Sequence, residues 1–260
     1  MMFRQRPKPT DQPRTPRGYR AYAVGDIHGR SDLLDQILSM VEQDAERSPA
    51  RKMLLIFLGD LIDRGPDSRG VVERLRTYRH DRLQIYLLAG NHEEVLLRLL
   101  AGERGLLEGW LKFGGAECLQ SYGTDPSSLV GLKEKDALAI VRDAIPDEHR
   151  KFLAGFADTL RLGDYLFVHA GIRPGLDLSL QSQVDLRWIR AAFLDCEDDH
   201  GMVVVHGHTI SESVDERANR IGIDTGAYRT GVLSALAVEG ARRWVLDTDV
   251  AEPKRAAGMQ

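Results

Sequence analysis

The stretch Gly59-Asp60-Leu61-Ile62-Asp63-Arg64-Gly65 follows directly on the apolar run Met53-Leu54-Leu55-Ile56-Phe57-Leu58. The run reads as a buried strand, yet it ends in two carboxylates and a guanidinium between glycines. Unpaired buried charge is costly, so such an ending calls for a metal or an anion. Two upstream and downstream neighbours repeat the plan. Tyr19 to Val24 reads as a strand running into Gly25-Asp26-Ile27-His28-Gly29, and Leu83–Leu88 runs into Gly90-Asn91-His92-Glu93. Between them, Leu33, Leu34, Ile37, Leu38 and Val41 recur at helical spacing, with Ser31 or Asp32 as the expected N-cap. Pro66, Asp67 and Ser68 form a turn into a second helix carrying Val71, Val72 and Leu75, and Val95–Leu100 continues as a third.

Strand and helix alternating three times argue for an α/β arrangement with a parallel sheet. Each polar cluster lies just beyond the C-terminal end of a strand, the edge at which open α/β sheets bind ligands. The second half turns to short strands. Tyr165–Val168 leads into His169-Ala170-Gly171, and Met202–Val205 leads into His206-Gly207-His208-Thr209. Arg220 to Asp224 and Gly231 to Val238 are expected as the final strands. Residues 101–160 differ: they are glycine-punctuated, carry Trp110, Phe113 and Tyr122, and turn helical from about Lys133 to Leu160. They are expected to form a helical cap beside the site, with plain packing helices as the competing reading.

The 260 residues are 43% hydrophobic and 28% charged, ordinary for a globular protein with a real core. The net charge of −4 gives no argument for a nucleic-acid partner, although residues 1–20 carry +5 of it and the remainder −9. That basic, proline-rich start (1–18) and the end (249–260) are expected to be tails around one domain at 19–248. No apolar run approaches the ~20 residues that span a bilayer, and the start lacks the apolar core of a secretory signal. Cys118 and Cys196 are too few for a disulfide framework. A cytoplasmic protein without a membrane partner, monomeric or weakly oligomeric, is the expectation.

Asp26 and His28, two apart, would share one side of an extended backbone. Imidazole, carboxylate and amide oxygen without a nearby thiolate suit manganese, iron or zinc rather than a zinc finger or a calcium site. A lone strand-end Asp is usually a cap and a lone His usually packing. Five such strand ends together are hard to explain that way. The run Asp195–Asp199 with His200 reads as a solvated loop.

Gly25-Asp26-Ile27-His28-Gly29, Gly59–Gly65 and Gly90–Glu93 together resemble the three signatures of the phosphoprotein phosphatase family of calcineurin-like metallophosphoesterases. His169-Ala170-Gly171 and Gly207-His208-Thr209 resemble its two later histidine motifs, so the likeness covers roughly residues 20–240. It is nearest to the small bacterial and phage-type serine/threonine phosphatases. The resemblance implies a sandwich of two mixed β-sheets flanked by helices. It implies one divalent metal held by Asp26, His28 and Asp60, and a second sharing Asp60 and taking Asn91, His169 and His208. Manganese is the favoured ion. It further implies a hydroxide shared between the metals as nucleophile, His92 as the acid for the leaving alkoxide, Asp63 as its orienter, and Arg64 and Arg190 as phosphate clamps, with Arg187 a competitor for the last role. Asn91 would also touch substrate. His206 reads as structural. The expected activity is hydrolysis of phosphoserine and phosphothreonine in proteins. A bis(5'-nucleosyl)-tetraphosphatase, or a phosphatase of broad small-molecule range, is the alternative. A non-catalytic module on the same core is disfavoured, because all six ligands and the acid are present.

Overall fold

Alternate residues of β1 (Tyr19–Val24) go to two different cores, as a strand buried on both faces requires. Ala21 and Ala23 share one core with Leu54 and Ile56 of β2 (Lys52–Phe57). Tyr22 and Val24 share another with Leu55 and Phe57. This second core is closed by Leu34, Ile37, Leu38 and Val41 of α1 (Ser31–Glu46), by α2 (Ser68–Thr77) and by α3 (Asn91–Leu100). Each fully buried aliphatic side chain contributes about 1.5–3 kcal/mol, so the apolar stripe of α1 is what fixes that helix on the sheet.

The structure is a computed structural model that describes residues 12–249. Beyond the first two strands lie β3 (Leu83–Leu87), β4 (Thr159–Leu162), β5 (Tyr165–Val168), β6 (Val203–His206), β7 (Asp215–Glu216), β8 (Arg220–Gly222), β9 (Ser234–Glu239) and β10 (Arg242–Asp247). They make two mixed five-stranded sheets, ordered β10-β9-β1-β2-β3 and β4-β5-β6-β8-β7. β1, β2 and β3 are parallel in the first, and β5, β6 and β8 in the second. Tyr165, Phe167, Val203, Val205 and Ile221 meet Ala21, Ala23, Leu54 and Ile56 between the sheets. The outer face of the second sheet is covered through Leu186, Ile189 and Phe193, around the short helices α8 (Gln183–Trp188) and α9 (Ala191–Leu194). Helix, sheet, sheet and helix therefore stack in that order, the two-sheet sandwich that the resemblance implies.

Several local expectations change. The segment 133–160 is not one helix. Between α3 and β4 the chain forms α4 (Leu107–Trp110), a distorted turn at Leu111–Gly115, α5 (Ala116–Ser121), α6 (Glu134–Ala144) and α7 (Asp147–Ala154). Pro146 separates the last two, and Leu160 belongs to β4. α6 and α7 pack on α3, while residues of the 105–115 stretch line the cavity beside the site. α1 starts at Ser31 with no side-chain cap, and Asp32 pairs bidentately with Arg30 instead. The short β4 and the charged edge strand β10 lack an apolar alternation and escaped the pattern reading. Residues 13–16, expected in the tail, are held between two hairpin turns: Thr15 N donates to Gly240 O (3.0 Å), and Asp164 N donates to Arg14 O (3.0 Å). Residues 1–11 and 250–260 of the expected tails lie outside the described residues.

Candidate metal centre and active site

Parallel order within each sheet places the C-terminal ends of β1, β2, β3, β5, β6 and β8 along one edge, and all six turns there contain a ligand-type side chain: Asp26 and His28, Asp60, Asn91, His169, His208 and Asp224. His28, Asp60, Asp63, Arg64 and His208 have φ of 45°, 50°, 71°, 67° and 64°. No other non-glycine among the described residues has positive φ, so the backbone strain of about 1–3 kcal/mol per residue is concentrated where the side chains converge. Asp26 and His28 accordingly do not reach the site along an extended backbone. The chain turns at His28, and the Ile27 and His28 N–H groups both donate to Asp60 O.

Asp60 is the hub. His28 Nε2 lies 3.5 Å from its Oδ2, and His169 Nε2 lies 3.5 Å from its Oδ1. His92 Nε2 is 3.9 Å from Oδ2. His28, Asp60 and His92 form one close donor cluster, and Asp60, His169 and His208 form another. Burial raises the Asp60 pKa, but the electrostatic pull of the surrounding His169, His92 and His28 rings outweighs it and holds this carboxyl well below its usual range.

The donors fit divalent cations for a specific reason. His28 Nδ1 bonds Ile62 O (2.8 Å) and His169 Nδ1 bonds Leu58 O (2.9 Å). A carbonyl partner fixes Nδ1 as the donor, so Nε2 of each ring turns a lone pair into the site. His169 Nε2 then faces Asn91 Oδ1 at 3.0 Å, two acceptors that a cation would reconcile. His208 Nε2 is buried with no hydrogen-bond partner, and burial pushes its pKa down to about 3, so it stays neutral and able to ligate. Burial also lowers His28 and His169. Of the two ligand candidates outside both clusters, Asn91 meets His169 and Asp26 lies against the His208 turn. Its carboxylate accepts from His208 N (3.0 and 3.2 Å), beside a Gly207 with no room for a Cβ. Burial first, then the charges of Asp224 and Asp60, raise its pKa, as crowding of buried carboxylates does.

The predicted acid and clamps also assemble. His92 Nδ1 is 2.6 Å from Asp63 Oδ2, which leaves Nε2 on the Asp60 side. Burial lowers the His92 pKa, but the Asp60 charge and the Asp63 hydrogen bond more than reverse this. Arg64 Nη1 is 2.7 Å from His28 Nε2, and its guanidinium lies over the Tyr228 ring at 5.0 Å. Arg190 Nη1 donates to His208 O and Thr209 Oγ1. Arg187 is engaged by Asp158 and Glu94, so Arg190 is the arginine at the site. His206 packs against Phe193 with ring centroids 5.1 Å apart and joins neither cluster. His200 stacks on Phe193, away from the centre. Beside the centre is a cavity of about 370 Å³ lined by Arg64, His92, Trp110, Phe113, Trp188 and Arg190, among others.

Four residues at the site were not assigned from the sequence. Glu93 accepts from the N–H groups of Asp60 (2.9 Å), Leu61 (2.8 Å) and Gly90 (2.9 Å), tying two strand ends together. Its position three residues after Gly90, as in a capping box, is a signal that could have found it. Asp224 follows β8 as Asp26 follows β1, so the strand-end rule also reaches it; burial raises its pKa to about 6, with the Asp60 charge adding to the shift. Trp110, whose indole donates to Asp63, and Tyr228, edge-on to His28, carry no local signal.

A family model for calcineurin-like phosphoesterases matches residues 19–235. The chain is 28% identical over 214 residues to serine/threonine-protein phosphatase 2 of Escherichia coli K12, covering 82% of this chain and 90% of that one. It is 32% identical over 153 residues to the symmetrical bis(5'-nucleosyl)-tetraphosphatase of Acidovorax sp. JS42, covering 59% of this chain and 44% of that one. In several other curated relatives that it matches, serine/threonine-protein phosphatase 1 of Salmonella typhimurium LT2 among them, the aligned region spans less than half of their length. A solved diadenosine tetraphosphatase-type structure superposes with a TM-score of 0.60 at 23% identity, covering 88% of this chain and 93% of that one, and so shares its fold. No helix among the described residues is long and apolar enough to cross a membrane. With the matched region covering the whole second sheet, β1, β2 and β3 of the first, and every strand end that meets at Asp60, the chain belongs to the calcineurin-like phosphoesterase family.

Proposed function

We propose that this chain hydrolyses phosphoserine and phosphothreonine monoesters in proteins, with Asp26, His28, Asp60, Asn91, His169 and His208 holding two divalent cations, manganese by preference. The observation that carries the reading is the pair His92–Asp63. Its free Nε2 stands between Asp60 and the open cavity, where the leaving oxygen of a monoester would lie. Bound cations would supply Lewis acidity and a water of lowered pKa. The protein's own groups do the rest. Arg64 and Arg190 offer guanidinium donors to phosphate oxygens and to the charge that grows on them. As the ester P–O bond breaks, its electron pair and a proton from His92 Nε2 go to the leaving oxygen, and water supplies the new oxygen on phosphorus. Serine and threonine alkoxides leave poorly, so a placed acid contributes about 10²–10⁴-fold.

A second reading, a symmetrical dinucleoside tetraphosphate hydrolase, is favoured by one observation. The cavity's aromatic walls, Trp110, Phe113 and Trp188, could stack a nucleobase. A panel with Mn²⁺ decides between them: phosphoserine, phosphothreonine and phosphotyrosine peptides against diadenosine tetraphosphate, compared by kcat/KM. Preference for the phosphopeptides is expected. A clear preference for the dinucleotide would replace the first reading by the second.

A further inference from the structure

Asp63 can orient His92 only if its own carboxylate is held. The Asp63 backbone sits in the left-handed region, and the side chain is fully buried, with the Cys118 thiol against its carboxylate. Beyond His92, the indole Nε1–H of Trp110 donates to both carboxylate oxygens, at 3.2 Å to Oδ1 and 3.1 Å to Oδ2. Trp110 comes from α4, 47 residues along the chain, in the segment that walls the cavity. That segment is latched onto the same turn. Arg64 N donates to Gly114 O (3.1 Å), a Cβ on Gly114 would strike the Arg64 backbone, and a Cβ on Gly115 would enter the Trp110 ring.

We propose that Trp110 is a positioning residue for the general acid: its indole N–H fixes the Asp63 carboxylate so that His92 Nε2 faces the leaving oxygen, and the 105–115 segment thereby sets how well the acid works. This rests on the reading of His92 as the acid. The bland alternative is a core indole that merely satisfies its N–H on a nearby carboxylate. The two differ in what they do to chemistry. A packing role alters the amount of folded enzyme and scales every substrate equally. A positioning role matters in proportion to how much the leaving group needs a proton.

The test is the leaving-group dependence of kcat in the Mn²⁺-loaded full chain, using p-nitrophenyl, phenyl and alkyl phosphates. Trp110→Phe keeps an aromatic ring and removes the N–H. Gly115→Ala keeps the N–H and displaces the ring. His92→Asn is the reference. Both positioning variants are expected to lose about tenfold on phenyl and alkyl phosphates and less than twofold on p-nitrophenyl phosphate, with Trp110→Phe adding nothing further in a His92→Asn background. The ratio between substrates does not depend on the fraction folded, and Gly115→Ala answers the question if Trp110→Phe folds poorly. If His92→Asn steepens the dependence and both other variants leave it at wild type, the Trp110 role is overturned and the acid assignment stands. If His92→Asn itself leaves the dependence unchanged, the acid assignment fails and takes the Trp110 role with it.

Discussion

Gly59→Ala should damage both the fold and the centre, by an amount the structure allows to be worked out. Gly59 has φ of 103°, a conformation that L side chains rarely adopt, and forcing one there costs about 1–3 kcal/mol. A Cβ at this position would lie 2.5 Å from Gly90 N and 3.0 Å from His169 Nδ1. Gly90 N already donates to Glu93, and His169 Nδ1 already bonds Leu58 O, so neither can retreat freely. Relieving that overlap is comparable to overpacking a core, roughly 1–3 kcal/mol more. A total of about 2–6 kcal/mol lowers Tm by about 4–24 °C in a domain of this size. The shift also parts the turns after β2 and β3, which carry Asp60 and Asn91, so cation binding should weaken. Thermal unfolding followed by circular dichroism, with and without Mn²⁺, measures both effects. The wild type should gain Tm on adding Mn²⁺ and the variant much less. A variant that melts within about 2 °C of wild type, with the same gain from metal, would refute the close-approach argument.

Two further outcomes follow from buried groups. Glu93→Ala leaves the N–H groups of Asp60, Leu61 and Gly90 without their acceptor, at about 1–3 kcal/mol each, partly offset by removing a buried carboxyl whose pKa burial raises to about 7. Urea unfolding at pH 7 should show a loss of about 3–6 kcal/mol, and a loss under about 1 kcal/mol would contradict the role given to Glu93. His206 is held neutral by burial, with a pKa lowered to about 4 against about 6.5 in the unfolded chain. Between those values the unfolded chain binds more protons, so stability present above pH 6.5 falls as pH drops toward 4, by at most about 3 kcal/mol from this group. His206→Gln should flatten that part of the stability–pH curve, and a slope equal to wild type would count against a buried neutral imidazole here.

Much of the site was legible because its residues sit at strand ends. A buried strand is a continuous apolar run, so its end is visible as an abrupt change to polar residues. Five such changes mark Asp26, His28, Asp60, Asn91, His169 and the pair His206 and His208; the family resemblance, rather than the pattern, picks out His208, and the marked residues other than His206 converge on Asp60. The weak spots were where periodicity is short or absent. β4 has four residues and β10 is a charged edge, so neither alternates enough to be seen. Residues 13–16 look like tail because their anchors are backbone groups at Gly240 and Asp164, which leave no mark on composition.

The opening stretch shows the division most plainly. Local sequence determined that Gly59–Gly65 ends a buried strand in charge that needs partners, because apolar runs and their interruptions are properties of the chain alone. The partners' identities came from outside it. Gly59 must be glycine because β3's turn brings Gly90 against it, and Gly65 because the His28 carbonyl lies where its Cβ would be. Asp63 is held by Trp110 because a helix 47 residues away folds over the turn. Those contacts depend on how two sheets and a cap pack in space, which no local pattern encodes, and only the tertiary structure decided them.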